Sequence, residues 1–155
     1  MQQRIRTECV LVFRRVYDAP IERIWRAWTE ASELGRWYLA GDDYVIHAAE
    51  VDLRVGGVWR VSFGSPGKPP YVETNRYTEI KRPFRLAWEG VLEVDGRQIP
   101  GGAGSTVELF DLGDGRTALV LTNTGDEDLW RHGEGWIPCL NSLERLLAAA
   151  LPASA

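Results

Sequence analysis

The residues able to do chemistry in this 155-residue chain are few and scattered. Two carboxylates, Glu73 and Glu108, fall inside runs patterned as β-strands. A carboxylate turned into the interior has its pKa raised by burial, so it can move a proton without leaving any sequence motif. Glu108, Tyr77, Asn123 and Arg60 are the polar residues best placed to orient a bound molecule, although alternation opposite Trp59 favours the solvent face for Arg60. A single bulge would reverse any such strand parity. The nucleophiles look inert. Ser62 and Ser65 lack a G-x-S-x-G setting, and Cys139 falls in an apolar pattern with no paired histidine.

Metal and phosphate chemistry find no better footing. His47 and His132 are far apart, and neither has a Cys or His at ligand spacing. Asp126-Glu127-Asp128 lacks the glycine-spaced pattern of a calcium loop and reads as favourable charge near a helix N-terminus. No Lys-Ser/Thr pair follows the glycines of Gly101 to Gly104, so they are not a phosphate loop. No cofactor, no metal and no catalytic residue is assigned.

What the chain offers instead is aromatic surface: 7 Trp among 16 Gly suggests large rings packed between tight turns, more than a helix bundle would need. The candidate walls of an interior cavity are Trp37, Tyr38, Trp59, Phe63, Tyr77, Trp88, Trp136, Leu140 and Leu143, with Glu108 as a polar member. Aromatic walls suit apolar or aromatic ligands, because they supply area and preferred stacking geometry. The plain alternative is that these rings only fill the core.

The elements that must position these residues can be read from periodicity. Gln3 to Tyr17 patterns as a first strand. Asp18 is the expected cap and Pro20 the first turn of a helix with Ile21, Ile24, Trp25 and Trp28 on its apolar stripe. A short helix from Ala31 to Trp37 follows, turning Leu34 and Trp37 inward. The period then switches to two: strands are expected over Tyr44–Leu53, Val58–Phe63, Tyr71–Ile80, Phe84–Val91, Ser105–Leu112 and Arg116–Thr124, with Glu93–Gly104 as an exposed hairpin loop. Glu134–Leu151 is an amphipathic helix with Trp136, Leu140, Leu143, Leu147 and Leu151 on one face and Asn141, Glu144 and Arg145 on the other; Pro138 fits only in its first turn. Six strands joined by short turns must be antiparallel. The fold class is therefore α+β, a single domain over residues 1–155 with a curled antiparallel sheet around the terminal helix.

These motifs, in this order, resemble the SRPBCC (START-related, helix-grip) superfamily, and its branch named after the activator of the heat shock protein 90 ATPase. The resemblance is carried by Tyr17-Asp18-Ala19-Pro20, Ile24 to Thr29, Leu34 to Trp37, Asp52 to Trp59, Tyr77 to Ile80, Thr106 to Leu109 and Gly135 to Leu147, and spans about residues 10–150. It implies a curved sheet of about seven strands in the order β-α-α-β6-α, gripping the C-terminal helix around a largely apolar cavity. Members bind lipids, polyketides, hormones or other hydrophobic molecules, and some act as cyclases or hydrolases. Where relatives usually continue helix two with a large aromatic and Gly-Pro, this chain has Tyr38-Leu39-Ala40-Gly41, which reshapes the cavity entrance.

Binding of a small hydrophobic or aromatic molecule is the leading expectation. An acid–base enzyme of cyclase, dehydratase or hydrolase type, using a cavity carboxylate or Tyr, is the second. A regulator of a chaperone ATPase comes last, because the family's activator carries a separate N-terminal domain and only nine or so residues precede the match. The net charge of −4 gives no electrostatic case for nucleic acid. No apolar run reaches the roughly 20 residues of a membrane span. The absence of an apolar leader and two reduced thiols, Cys9 and Cys139, point to the cytoplasm. A homodimer is left open.

Overall fold

A computed structural model describes residues 8–38, 45–99, 102–126 and 136–149. Strand β1 (Cys9–Tyr17) leads into helices α1 (Ile21–Thr29) and α2 (Ala31–Trp37). Seven further strands follow: β2 (Val45–Val51), β3 (Val58–Gly64), β4 (Tyr71–Lys81), β5 (Arg85–Val94), β6 (Arg97–Ile99), β7 (Gly102–Gly113) and β8 (Arg116–Gly125). Helix α3 (Trp136–Ala149) is the last element described. All strands belong to one antiparallel sheet in the order β1-β8-β7-β5-β4-β3-β2, with β6 pairing on β5. This is the expected α+β architecture with one short strand more than expected.

Alternation decides which residues face inward. On β3, Trp59, Val61 and Phe63 are buried while Arg60 is exposed; on β8, Leu119, Leu121 and Asn123 are buried. Bulges interrupt β2 between Ile46 and Ala48 and β4 between Tyr77 and Glu79. Bulges of this kind increase local twist and let a sheet curl. The curved inner face is covered by Cys139, Leu140, Leu143 and Leu147 of α3, which join it in one core. Asn141, Glu144 and Arg145 lie on the exposed side of α3, as the spacing predicts, and Pro138 is the third residue of its first turn. Two buried hydrogen bonds fix the end of β1 and the turn that follows it. The Tyr17 hydroxyl donates to Leu140 O at 3.1 Å, and the Thr117 hydroxyl donates to Ala19 O at 2.8 Å.

Three local expectations change. Asp18 does not cap α1: Pro20 occupies the N-cap with extended backbone and no side-chain cap bond is made, so Asp18 stands two residues too early to reach the first turn. The stretch Glu93–Gly104 is largely strand and not loop. β5 runs on to Val94, Asp95 and Gly96 turn with φ of 53° and 72°, and β6 folds straight back. Positive φ at both central residues is the hairpin geometry whose twist matches the flanking strands. The last strands also run one to three residues beyond their expected ends. The expected parts at residues 3–7, Tyr44, Glu127–His132, Glu134–Gly135 and Leu151 lie outside the described residues.

Because Leu143 is fully buried between helix and sheet, Leu143→Ala is expected to destabilise the fold by about 2–5 kcal/mol. Tyr17→Phe, which only removes a donor from Leu140 O, is expected to lose about 1 kcal/mol. Urea unfolding with an unchanged m-value would check both.

Candidate functional site

The interior is built around interlocking aromatic rings from every layer. Trp28 of α1 stands edge-on to Trp37 of α2 at 4.8 Å between centroids and lies 5.8 Å from Trp88 of β5 and 6.1 Å from Trp136 of α3. Tyr38, at the end of α2, contacts Trp37 at 5.5 Å, Trp59 of β3 at 5.0 Å and Trp136 at 5.7 Å. Trp59 and Trp88 close the cluster at 5.2 Å. Edge-to-face geometry dominates, which sets the positive ring edge against the negative ring face. Of the expected wall, Trp37, Tyr38, Trp59, Phe63, Tyr77, Trp88, Leu140 and Leu143 are all buried, and Trp136 is half-buried. Phe63 stacks on Tyr71 at 5.4 Å.

Polar groups punctuate this wall. The Trp37 indole N–H donates to Ala27 O at 2.8 Å and so serves the fold. Among the described residues, the indole nitrogens of Trp28 and Trp59 and the hydroxyl of Tyr77 are buried without a hydrogen-bond partner. Asn123 Nδ2 donates to Ser105 Oγ at 2.6 Å, while Asn123 Oδ1 is buried with no partner among the described residues. Buried polar atoms of this kind are rare in folded proteins, because each forfeits its hydration.

Among the described residues the carboxylate that meets this cluster is Glu73, not Glu108. Strand β7 turns Ser105, Val107 and Leu109 inward, which sends Glu108 to the outer face. There it faces Arg85 across the β5–β7 pair, with Arg85 Nη1 to Glu108 Oε2 at 3.1 Å, and Arg85 also holds Glu79 at 2.7 Å. Expecting Glu108 in the cavity is therefore wrong: the parity of β7 places it among surface charges. Arg60 also lies outside, bonded to Thr74 at 3.2 Å, as its alternation opposite Trp59 indicates. His47 is exposed on β2, and His132 lies outside the described residues.

Glu73 on β4 sits between Val61 of β3 and Leu92 of β5 in register. Its Oε1 accepts from the Tyr38 hydroxyl at 2.8 Å and from the Asn75 amide at 2.9 Å. Protein surrounds the carboxyl closely enough that burial raises its pKa, against the lowering effect of the Asn75 and Tyr38 bonds. The residue nevertheless keeps accessible surface. A group deep in the protein mass that still meets solvent lies in a recess. Tyr38 is pushed well up, chiefly by burial and then by the neighbouring Glu73 charge, so its hydroxyl remains a donor.

Two residues that sequence reasoning does not single out set this geometry. Asn75 is fully buried opposite Gly90, and a Cβ at Gly90 would collide with Asn75 Oδ1. The glycine makes the room in which Asn75 turns toward Glu73. An isolated Gly in a strand pattern, as in Trp88-Glu89-Gly90-Val91, is the signal of such a close approach.

The native protein holds the Glu73 proton in a pH window where the unfolded chain releases it, so stability falls as pH rises from the ordinary carboxylate value through the raised one. Glu73→Gln is expected to abolish that fall, its advantage over the parent growing across the window. Gly90→Ala, by displacing Asn75 and its pKa-lowering bond, is expected to move the fall to higher pH. Thermal unfolding of the three proteins from about pH 4 to about pH 8 would measure both effects.

Comparison with known proteins places this arrangement. Residues 18–148 match the family model "Activator of Hsp90 ATPase homolog 1-like protein". No curated protein matches. Among solved structures, a protein from Rhizobium leguminosarum superposes with a TM-score of 0.77 at 20% identity, covering 94% of this chain and 99% of its own. The AHSA1-like protein from Aeromonas hydrophila gives 0.75 at 23% identity, covering 95% and 98%. A protein from Chromobacterium violaceum gives 0.73 at 24% identity, covering 89% and 96%. At these identities the structures bear on fold alone, whereas the family model takes in most of the chain, from the α1 turn to the end of α3. The chain belongs to the Activator of Hsp90 ATPase homolog 1-like family.

Proposed function

We propose that this protein binds a small hydrophobic or aromatic molecule in the space between the inner face of the sheet and helix α3. The observation that carries this reading is the recess at Glu73. The Glu73 carboxyl is deep enough for its pKa to be raised, yet the residue keeps accessible surface beside a cluster of aromatic rings. Burial in that setting weakens the fold, and a site for a ligand accounts for retaining it. The unpartnered indole nitrogens of Trp28 and Trp59 add to the case, since both belong to the same cluster. The family's membership in a superfamily of ligand-holding folds agrees with it.

A second reading, acid–base chemistry on the bound molecule, is favoured by one feature. Glu73 is a buried carboxylate with a neighbouring tyrosine hydroxyl at 2.8 Å, the arrangement from which a proton can be taken or returned. Loss of turnover in Glu73→Gln with binding retained would establish it. Regulation of a chaperone ATPase rests on the family's description alone. The setting we infer is the cytoplasm, since no disulfide joins Cys9 and Cys139. No described helix is long and apolar enough to cross a membrane.

Binding to the native state alone raises stability with ligand concentration. A ligand present at about 100 times its Kd is expected to raise Tm by about 5–10 °C for a domain of this size. Tryptophan emission should change with it, because the rings line the site. A chemically varied panel of apolar and aromatic compounds that moves neither Tm nor emission, with native mass spectra showing only the bare chain, would sink the binding reading.

A further inference from the structure

Both hydrogen bonds to Glu73 end on the same atom, Oε1. Each donor is fixed from its other side. Tyr38 closes α2, its backbone N–H donating to Leu34 O at 2.9 Å, and its ring stands edge-on to Trp37, Trp59 and Trp136. Asn75 has its Oδ1 seated over Gly90, where any side chain would collide with it. Neither can turn to serve Oε2 without giving up that packing. Among the described residues Oε2 accepts no hydrogen bond, and Glu73 keeps accessible surface. With Glu73 ionised, the arrangement presents one uncommitted acceptor oxygen beside an aromatic wall.

We propose that the site selects aromatic molecules carrying a hydrogen-bond donor, a hydroxyl or an amine, and holds that donor on Glu73 Oε2. The proposal rests on the binding reading above and names its ligand class. A donor-free aromatic gains only ring contacts, and it leaves the carboxylate oxygen desolvated and unpaired when it covers the recess. A donor-bearing one repairs that loss, and bonds to ionised acceptors are the stronger kind. Sites built to bond a substrate OH or NH reject the analogue lacking it far more strongly than an apolar pocket rejects an added group.

The test compares naphthalene, 1-naphthol, 1-naphthylmethylamine and 1-naphthaldehyde by tryptophan quenching at a pH above the stability fall that Glu73 produces, where its carboxyl is ionised. The parent protein is expected to bind 1-naphthol or the amine, or both, at least roughly tenfold more tightly than naphthalene. Preference for the amine over the naphthol would identify the donor as cationic, the reverse as neutral. In Glu73→Gln, Oε1 stays with Tyr38 and Asn75, so an NH2 group takes the place of Oε2. The preference is then expected to invert, with the naphthol and amine advantage lost and 1-naphthaldehyde gaining. Equal binding of naphthalene, naphthol and amine by the parent would overturn the proposal while leaving the binding reading intact. So would a donor preference that survives Glu73→Gln. Failure of every probe would overturn both. If the variant does not fold, judged by its far-UV circular dichroism, the parent's contrast between naphthalene and its donor-bearing analogues decides alone.

Discussion

A curved sheet with one apolar face must cover that face, and the gap it leaves beneath a crossing helix sets the demands on every side chain between them. At one end of this molecule aliphatic residues fill the gap: Leu86, Val107, Leu109, Leu119 and Leu121 from the sheet meet Leu143 and Leu147 of α3 in one core. Toward the start of α3 the filling changes to tryptophan and tyrosine, and rings from α1, α2, β3, β5 and α3 interlock at 4.8–6.1 Å. Large rings span a wide gap that aliphatic side chains would leave partly empty, and each edge-to-face pair adds about 0.5–1.5 kcal/mol beyond area burial. Their cost is that indole and phenol carry polar atoms inward. Trp37 settles its N–H on Ala27, whereas Trp28 and Trp59 find no partner for theirs among the described residues.

The inner face of the sheet also changes character along its strands. Around Glu73 and Asn75 of β4 the inner positions include Gly90 on β5, Ser105 on β7 and Asn123 on β8, in place of the leucines and valines found further along. Small and polar residues at register positions opposite one another are poor core material, and each reduces the stability that a fully apolar face would supply. Glu73 is the extreme case. Its burial raises the cost of ionisation, and two neutral donors only partly offset it. A fold whose apolar end already closes a continuous core can carry such a polar end, and the two halves of the inner face thereby divide stability from recognition.

Much of this was legible in the residues. Period-two patterns and the spacing of Leu140, Leu143 and Leu147 specify the sheet and the buried side of α3, because alternation and helical period are local consequences of backbone geometry. The burial of the expected aromatic wall follows from the same rules. What local pattern could not supply was parity across strands. Glu73 and Glu108 are indistinguishable by type and both lie in alternating runs, yet β4 turns one inward and β7 turns the other toward Arg85. That choice is set by the pleat of each strand: Val107 and Leu109 point inward on either side of Glu108, whereas Glu73 shares the inner side of β4 with Asn75 and Tyr77 and there meets a tyrosine hydroxyl 35 residues distant in sequence. The pairing of Asn75 with Gly90 is hidden for the same reason: it exists only once β4 and β5 are in register. The Asp18 cap failed more simply, since the residue type fits but Pro20 already occupies the capping position.

These relations bear on how one fold can serve different ligands. The aromatic wall and the apolar end are bound into the core, so changing them risks the whole domain. The polar end is set by few positions, and their interdependence is specific: the side chain missing at Gly90 admits Asn75, Asn75 shares Oε1 with Tyr38, and that sharing leaves Oε2 uncommitted. Replacing glycine at position 90 would therefore alter recognition without touching a single ring. On this argument the ligand preference of the domain resides in strand-register pairs of the β4–β5 hairpin more than in the tryptophans, which supply affinity to any flat apolar body and discriminate little among them.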